Sequence, residues 1–299
     1  MSCIPDPLES GFTTTTDVPL YWCRYGRVGR PRLLVLHGGP GASHDYLLPQ
    51  MLELADAYEL LFYDQRGGGR SRTDDPAPIT WRTHAADLAR VVRELGLKPL
   101  SLIGYSFGGL LALLYTVESV HGTTPDADRP ARLVLIDPAP VNREYRRAFE
   151  AEFARRQASP AWHALREALL ASGLRERDPA AYKQRLFELG VAGYFAHPER
   201  AHDLTPFRVI GKVQQSVWES LGDYDLTPSL RDVRVPTLIV HGAEDPIPVG
   251  SSRAIAGAMP SAELVTIDDC GHVPYVEQPV PLFGAIRRFL AAGDPKPLS

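Results

Sequence analysis

Cysteine, methionine and lysine are scarce in this sequence. Four lysines stand against 28 arginines, a bias that reflects codon usage rather than chemistry. Three cysteines, Cys3, Cys23 and Cys270, are scattered and odd in number. That excludes a disulfide framework and a clustered zinc site, and it suits a reducing compartment. No excess of one charge exists either. The formal net charge is −4, so nothing attracts nucleic acid or an anionic membrane electrostatically. No run of 18 apolar residues is present, which argues against a transmembrane helix. The opening MSCIPDPLESG lacks the basic start and apolar stretch of a signal peptide. A cytoplasmic protein is therefore expected. HExxH is missing, and so is a G-x-G-x-x-G that opens a strand–helix unit. Asp64-Gln65-Arg66-Gly67-Gly68-Gly69-Arg70-Ser71 resembles a phosphate loop but lacks its Gly-Lys-Ser/Thr ending. It reads as a turn bracing a functional edge. No metal and no cofactor is expected.

What is present is a 299-residue chain, 44% hydrophobic, long enough for a sizeable core. Short apolar runs alternate with helical patterns. Strands are expected at 33–36, 59–63, 100–103, 132–136, 236–240 and 262–267. Helices are expected at 80–95, capped by Thr80 and stopped by Gly96, at 108–120, and at 282–292. The alternation implies a mostly parallel, twisted sheet covered by helices on both faces. Ligands in such sheets bind beyond the carboxyl ends of the strands. Between 141 and 231 the alternation breaks into a charged, aromatic-rich helical stretch. The organisation expected is an α/β core over 1–140 and 232–299, with a helical cap over 141–231 inserted late in the sheet.

Gly104-Tyr105-Ser106-Phe107-Gly108 lies between a strand and an apolar helix. This is the G-x-S-x-G nucleophile elbow: a tight turn that holds a serine above the sheet, at a helix N-terminus. A serine hydroxyl needs a base, and in this arrangement the partners follow in the order Ser, Asp, His. Asp245 follows the strand at 236–240, and His272 follows the last strand. Glu244, Asp268 and Asp269 are rival acids, placed less well. The catalytic set is then Ser106, Asp245 and His272. An oxyanion hole needs two converging N–H groups. Phe107, after the nucleophile, and Gly39, in His37-Gly38-Gly39-Pro40-Gly41, are the candidates. His37 shapes that loop, whereas His44, His84 and His241 have no comparable setting. Cys270 lies two residues from the base, where a bulky thiol reagent would crowd it.

Together, HGGPG at 37–41, DQRGGGRS at 64–71, GYSFGG at 104–109, Asp245 and the Gly271-His272 pair resemble the proline iminopeptidase branch of the α/β-hydrolases. The matches span nearly the whole chain. The resemblance implies an α/β-hydrolase fold, a helical cap, no cofactor, and release of N-terminal proline or a small residue from a short peptide. It also implies acidic cap residues that hold the substrate ammonium. Here the chain departs: Gln214 and Pro246 stand where some members have acids, and Phe107 replaces the usual tryptophan or tyrosine. Trp218 and Glu219 become the candidate substrate contacts, with Asp223 the other acid available. A second reading keeps the triad and takes small uncharged esters, amides or lactones. A third, from another class, is a non-catalytic small-molecule-binding protein on the same scaffold.

Overall fold

The computed structural model describes residues 4–292; Cys3 lies outside them. Eight strands form a single sheet: β1 (Glu9–Phe12), β2 (Tyr21–Gly26), β3 (Arg32–Leu36), β4 (Glu59–Tyr63), β5 (Ser101–Tyr105), β6 (Arg132–Ile136), β7 (Thr237–Gly242) and β8 (Ala262–Ile267). Their order is β1-β2-β4-β3-β5-β6-β7-β8. β3 to β8 pair in parallel; β1 and β2 are antiparallel. The apolar runs are the parallel strands because such strands are buried on both faces. Alternate residues divide between two hydrophobic clusters. Leu34, Leu36, Leu102, Leu133 and Leu135 face one; Leu33, Val35, Ile103, Val134 and Ile136 face the other. Full burial of each such side chain is worth roughly 1.5–3 kcal/mol.

Helices Trp81–Glu94, Phe107–His121 and Val249–Ala258 close the first cluster. Helix Pro279–Ala291 and short turns over 45–54 close the second. Helix Trp81–Glu94 begins as its sequence requires. The Thr80 hydroxyl accepts the Thr83 N–H at 3.1 Å, and the Thr83 hydroxyl accepts the Thr80 N–H at 3.2 Å.

The N-terminal hairpin and helix Val249–Ala258 are absent from the sequence reading. β1 is largely exposed and β2 buries only Cys23 and Tyr25, so neither strand shows a continuous apolar run. Between β6 and β7 the chain forms helices Arg143–Gln157, Pro160–Ala171, Pro179–Val191 and Gly211–Leu221 among shorter turns. Its apolar residues join both clusters: Val213, Val217 and Leu221 the first, Val191, Ala192 and Phe195 the second. This segment thereby straddles the sheet edge. Among the described residues no helix is long and apolar enough to cross a membrane.

Candidate active site

Ser106 sits between β5 and helix Phe107–His121 at φ 52°, a left-handed conformation that costs a non-glycine residue on the order of 1–3 kcal/mol. The neighbouring glycines make the turn possible. A Cβ on Gly104 would stand 2.4 Å from the Gly108 carbonyl oxygen, and one on Gly108 2.2 Å from that of Leu36. The Ser106 N–H donates to the Ile136 carbonyl at 2.9 Å, and its carbonyl accepts N–H bonds from Gly109 and Ala139, each at 2.9 Å. The strained residue is thus pinned from two sides, by β6 with its following loop and by its own helix.

The loops after β7 and β8 bring two more groups to the serine. His272 Nε2 is 2.9 Å from Ser106 Oγ, and His272 Nδ1 is 2.8 Å from Asp245 Oδ2. Asp245 Oδ1 accepts the Ile247 N–H at 2.7 Å. The His272 N–H donates to the Tyr194 carbonyl at 2.7 Å, and Tyr105 Oη donates to the His272 carbonyl at 3.0 Å. The rings of Tyr105 and Tyr194 lie 5.3 and 5.1 Å from the imidazole. Burial disfavours charge on both partners. It pushes the imidazole of His272 down to about 4 and the carboxyl of Asp245 up to about 7. The rival acids face elsewhere: Glu244 accepts the Cys270 N–H at 2.9 Å, Asp269 pairs with His197 at 2.7 Å, and Asp268 is exposed.

Gly39 and Phe107 both line the cavity beside Ser106. The Gly38 N–H is engaged by Tyr46 Oη at 2.8 Å, whereas the next N–H of the loop, that of Gly39, has no hydrogen-bond partner among the described residues. The loop lies close over the nucleophile: a Cβ on Gly38 would come within 2.9 Å of Ser106 Cβ. The 64–71 turn braces it. Gln65 N–H donates to His37 Nε2 at 3.0 Å, and Gln65 Nε2 donates to the His37 carbonyl at 2.7 Å. Arg66 in turn makes a two-pronged bond to Asp87 at 2.8 and 2.6 Å, anchoring the turn to helix Trp81–Glu94.

The cavity holds about 570 Å³. Trp218 and Glu219 line it; Asp223 does not. Glu219 accepts a hydrogen bond from Gln215 Nε2 at 2.7 Å and has no cationic partner among the described residues. Arg146 and Glu150, which the sequence reading overlooks, also line the cavity. They pair at 2.8 Å, and the Arg146 guanidinium lies 4.4 Å over the Trp218 ring. Only the fold brings helix Arg143–Gln157 to this place.

No sequence motif singles out Asp137 either. It follows β6 directly, at φ 41°, so the strand-end rule that found Asp245 points to it too. Its Oδ1 accepts the Gly242 N–H at 2.8 Å, and its side chain lies against that of Asp245. Polar atoms of Asp137, His241 and Asp245 lie within 4.8 Å of one another. Burial first, and the neighbouring Asp245 next, raise the Asp137 carboxyl well above the usual range. Nothing in the sequence singles out His241. In the structure its Nε2 donates to the Ile247 carbonyl at 3.0 Å and its Nδ1 accepts from Ser252 Oγ at 2.9 Å, so both nitrogens are used to hold the loop that carries Asp245.

The profile of the alpha/beta hydrolase family matches residues 33–285. A proline iminopeptidase of Saccharolobus solfataricus is 27% identical, the match covering 95% of this chain and 92% of that protein. One of Levilactobacillus brevis is 26% identical over 88% of this chain and 89% of its own. Among solved structures, a proline iminopeptidase-related protein of Thermus thermophilus superposes with a TM-score of 0.71 at 22% identity, covering 95% of this chain and 97% of the other. The enol-lactonase of Burkholderia xenovorans does so with a TM-score of 0.64 at 20% identity, covering 94% and 100%. These two likenesses show the fold.

Proposed function

Because the chain belongs to the alpha/beta hydrolase family, we propose that it is a serine hydrolase that releases an N-terminal proline or small apolar residue from short peptides. The observation that carries the mechanism is the unbroken line Ser106 Oγ–His272 Nε2, His272 Nδ1–Asp245 Oδ2, at 2.9 and 2.8 Å. In this reading His272 takes the Ser106 proton as the hydroxyl attacks the carbonyl carbon. Asp245 holds the proton on Nδ1, so that Nε2 is the free base. The N–H groups of Phe107 and Gly39 receive the oxyanion. His272 then protonates the leaving amine, and water repeats the sequence on the acyl-enzyme.

The segment over 141–231 acts as a cap that supplies the substrate contacts. Trp218, Phe107 and Phe207 offer an apolar wall for a small ring. Glu219, a carboxylate without a cationic partner among the described residues, receives the substrate ammonium; Glu150 is already satisfied by Arg146. Gln214 in the same wall favours a second reading, hydrolysis of small uncharged esters, amides or lactones.

A panel of proline p-nitroanilide, its N-acetyl form and p-nitrophenyl esters separates the two. Cleavage of the free but not the acetylated anilide supports the peptidase. In that case Glu219→Gln raises KM for the free amine at least about tenfold, as expected when a charged hydrogen bond worth roughly 1.5–3 kcal/mol is weakened, and leaves ester turnover unchanged. Ester turnover with no anilide cleavage would overturn the peptidase in favour of the second reading.

A further inference from the structure

Away from the cavity, a second line of polar side chains runs through the described residues. Cys23 Sγ in β2 is 3.1 Å from His44 Nε2, and His44 Nδ1 is 2.7 Å from Asp64 Oδ1. Cys23, His44 and Asp64 are 0, 1 and 0% exposed. Asp64 also accepts the backbone N–H groups of His44 and Arg70, at 3.0 and 2.8 Å, and lies 3.8 Å from the Arg70 guanidinium. Burial opposes its charge, yet these partners, His44 foremost, bring it down to about 2. An ionised Asp64 fixes a proton on His44 Nδ1. That leaves Nε2 to share the thiol proton of Cys23, the arrangement that activates a cysteine nucleophile. Burial likewise disfavours charge on His44, but the hydrogen bonds to Asp64 and Cys23 outweigh it and raise the imidazole to about 9.

We propose that Cys23 is a covalent modification site, a base-activated thiol that captures small oxidised-sulfur electrophiles such as disulfides and thiosulfonates. In the step, Cys23 Sγ attacks the electrophilic sulfur and forms a new S–S bond. The reagent's own S–S bond breaks and its other half departs with the electron pair. The Cys23 proton stays on His44 Nε2. The cysteine is oxidised to the mixed disulfide and the leaving group is reduced. Three side chains lie over His44. Arg70 and Asp45, 48 and 43% exposed, pair at 3.0 Å, and Asp45 lies 3.8 Å from His44 Nε2. Tyr21 stacks on His44 at 5.8 Å, beneath Arg70. The titratable and charged groups facing the pair are Asp64, Asp45, Arg70, His37, Tyr21 and Tyr25. A group added at a fully buried sulfur displaces His44. His44 closes the loop that begins at His37 and carries Gly39. This consequence rests on the role proposed above for Gly39; the reactivity of the thiol does not.

The test uses the full chain with Cys3→Ser, leaving Cys270 as the internal control. Cys270 is fully buried, its thiol is pushed up by burial, and its sulfur donates weakly to the Gly271 carbonyl at 3.5 Å. Methyl methanethiosulfonate is added at pH 6, 7 and 8, the reaction is quenched in acid, and peptide masses report each site. Cys23 is expected to react at least about 100-fold faster than Cys270. His44→Gln should slow Cys23 at least about tenfold at pH 6, with equal labelling in denaturant. If that variant does not fold, the ratio of the two rates in the parent decides. A Cys23 rate no greater than that of Cys270 overturns the proposal. Labelling should also abolish p-nitrophenyl ester turnover, dithiothreitol should restore it, and Cys23→Ser should stay active and insensitive. Full labelling without loss of turnover overturns the link to Gly39 and leaves the reactive thiol established. No turnover before labelling counts against the hydrolase mechanism and not against the thiol.

Discussion

Replacing Asp245 with asparagine changes little in shape and should change almost everything in catalysis. The carboxylate has two tasks: Oδ1 accepts the Ile247 N–H at 2.7 Å and Oδ2 accepts from His272 Nδ1 at 2.8 Å. An amide can accept at only one end. With its oxygen kept at Ile247, its NH₂ group faces the ring, so Nδ1 must accept and the ring proton moves to Nε2. That nitrogen, 2.9 Å from Ser106 Oγ, can no longer take the serine proton. Flipping the amide restores the tautomer but sets two N–H groups against each other at a buried position, a penalty of about 1–3 kcal/mol. The productive orientation is then disfavoured by roughly 5- to 150-fold. The negative charge that steadies the imidazolium is lost in either orientation. Together these effects should lower kcat on the order of 10⁴-fold, the loss the same change causes in the serine protease triad. Initial rates on a p-nitrophenyl ester measure it, with circular dichroism and thermal melting to establish that the variant is folded. A folded Asp245→Asn protein within about tenfold of wild type would refute the reasoning.

Ser106→Ala should reduce kcat on the order of 10⁴-fold or more with the fold intact by melting, and activity near wild type would remove Ser106 from the mechanism. Activity should fall with acidity across the window from about pH 7 to about pH 4, because a proton taken up by either Asp245 or His272 silences the base. A kcat/KM profile flat from pH 8 to pH 4 contradicts it. This window replaces the limb near pH 6 that an unperturbed histidine implies. Gly108→Ala drives a Cβ to 2.2 Å from the Leu36 carbonyl oxygen and 2.7 Å from that of His37. It should destabilise the chain by at least about 1–3 kcal/mol in denaturant unfolding. Gly257→Ala, with nothing within 4 Å, serves as its control and should not destabilise. Equal stability of the two would discredit the elbow argument.

The parallel core was legible because each strand buried on both faces reads as an unbroken apolar run, as in Leu33–Leu36 and Leu133–Ile136. Strand ends then singled out Ser106, Asp245 and His272, which the structure brings within hydrogen-bond reach of one another. β2 escaped notice because only Cys23 and Tyr25 point inward, and alternation over so few residues is faint. Asp137 was visible by the same strand-end rule but lacked a motif to single it out. His44 gave no local signal, since Cys23 and Asp64 meet it across a sheet whose strand order the sequence does not reveal. Arg146 and Glu150 reach the cavity through the packing of one amphipathic helix over an edge. The spacing of apolar residues fixes which face of a helix is buried, not where the helix comes to rest.

Tyr194, in the segment between β6 and β7, gives its backbone carbonyl to the His272 N–H and its ring to the imidazole. This segment and the imidazole are therefore one mechanical unit, and the segment cannot swing away like a hinged door without unfastening the ring. Under the mechanism proposed above, a change at Tyr194 will register as a slower chemical step, not merely as weaker capture.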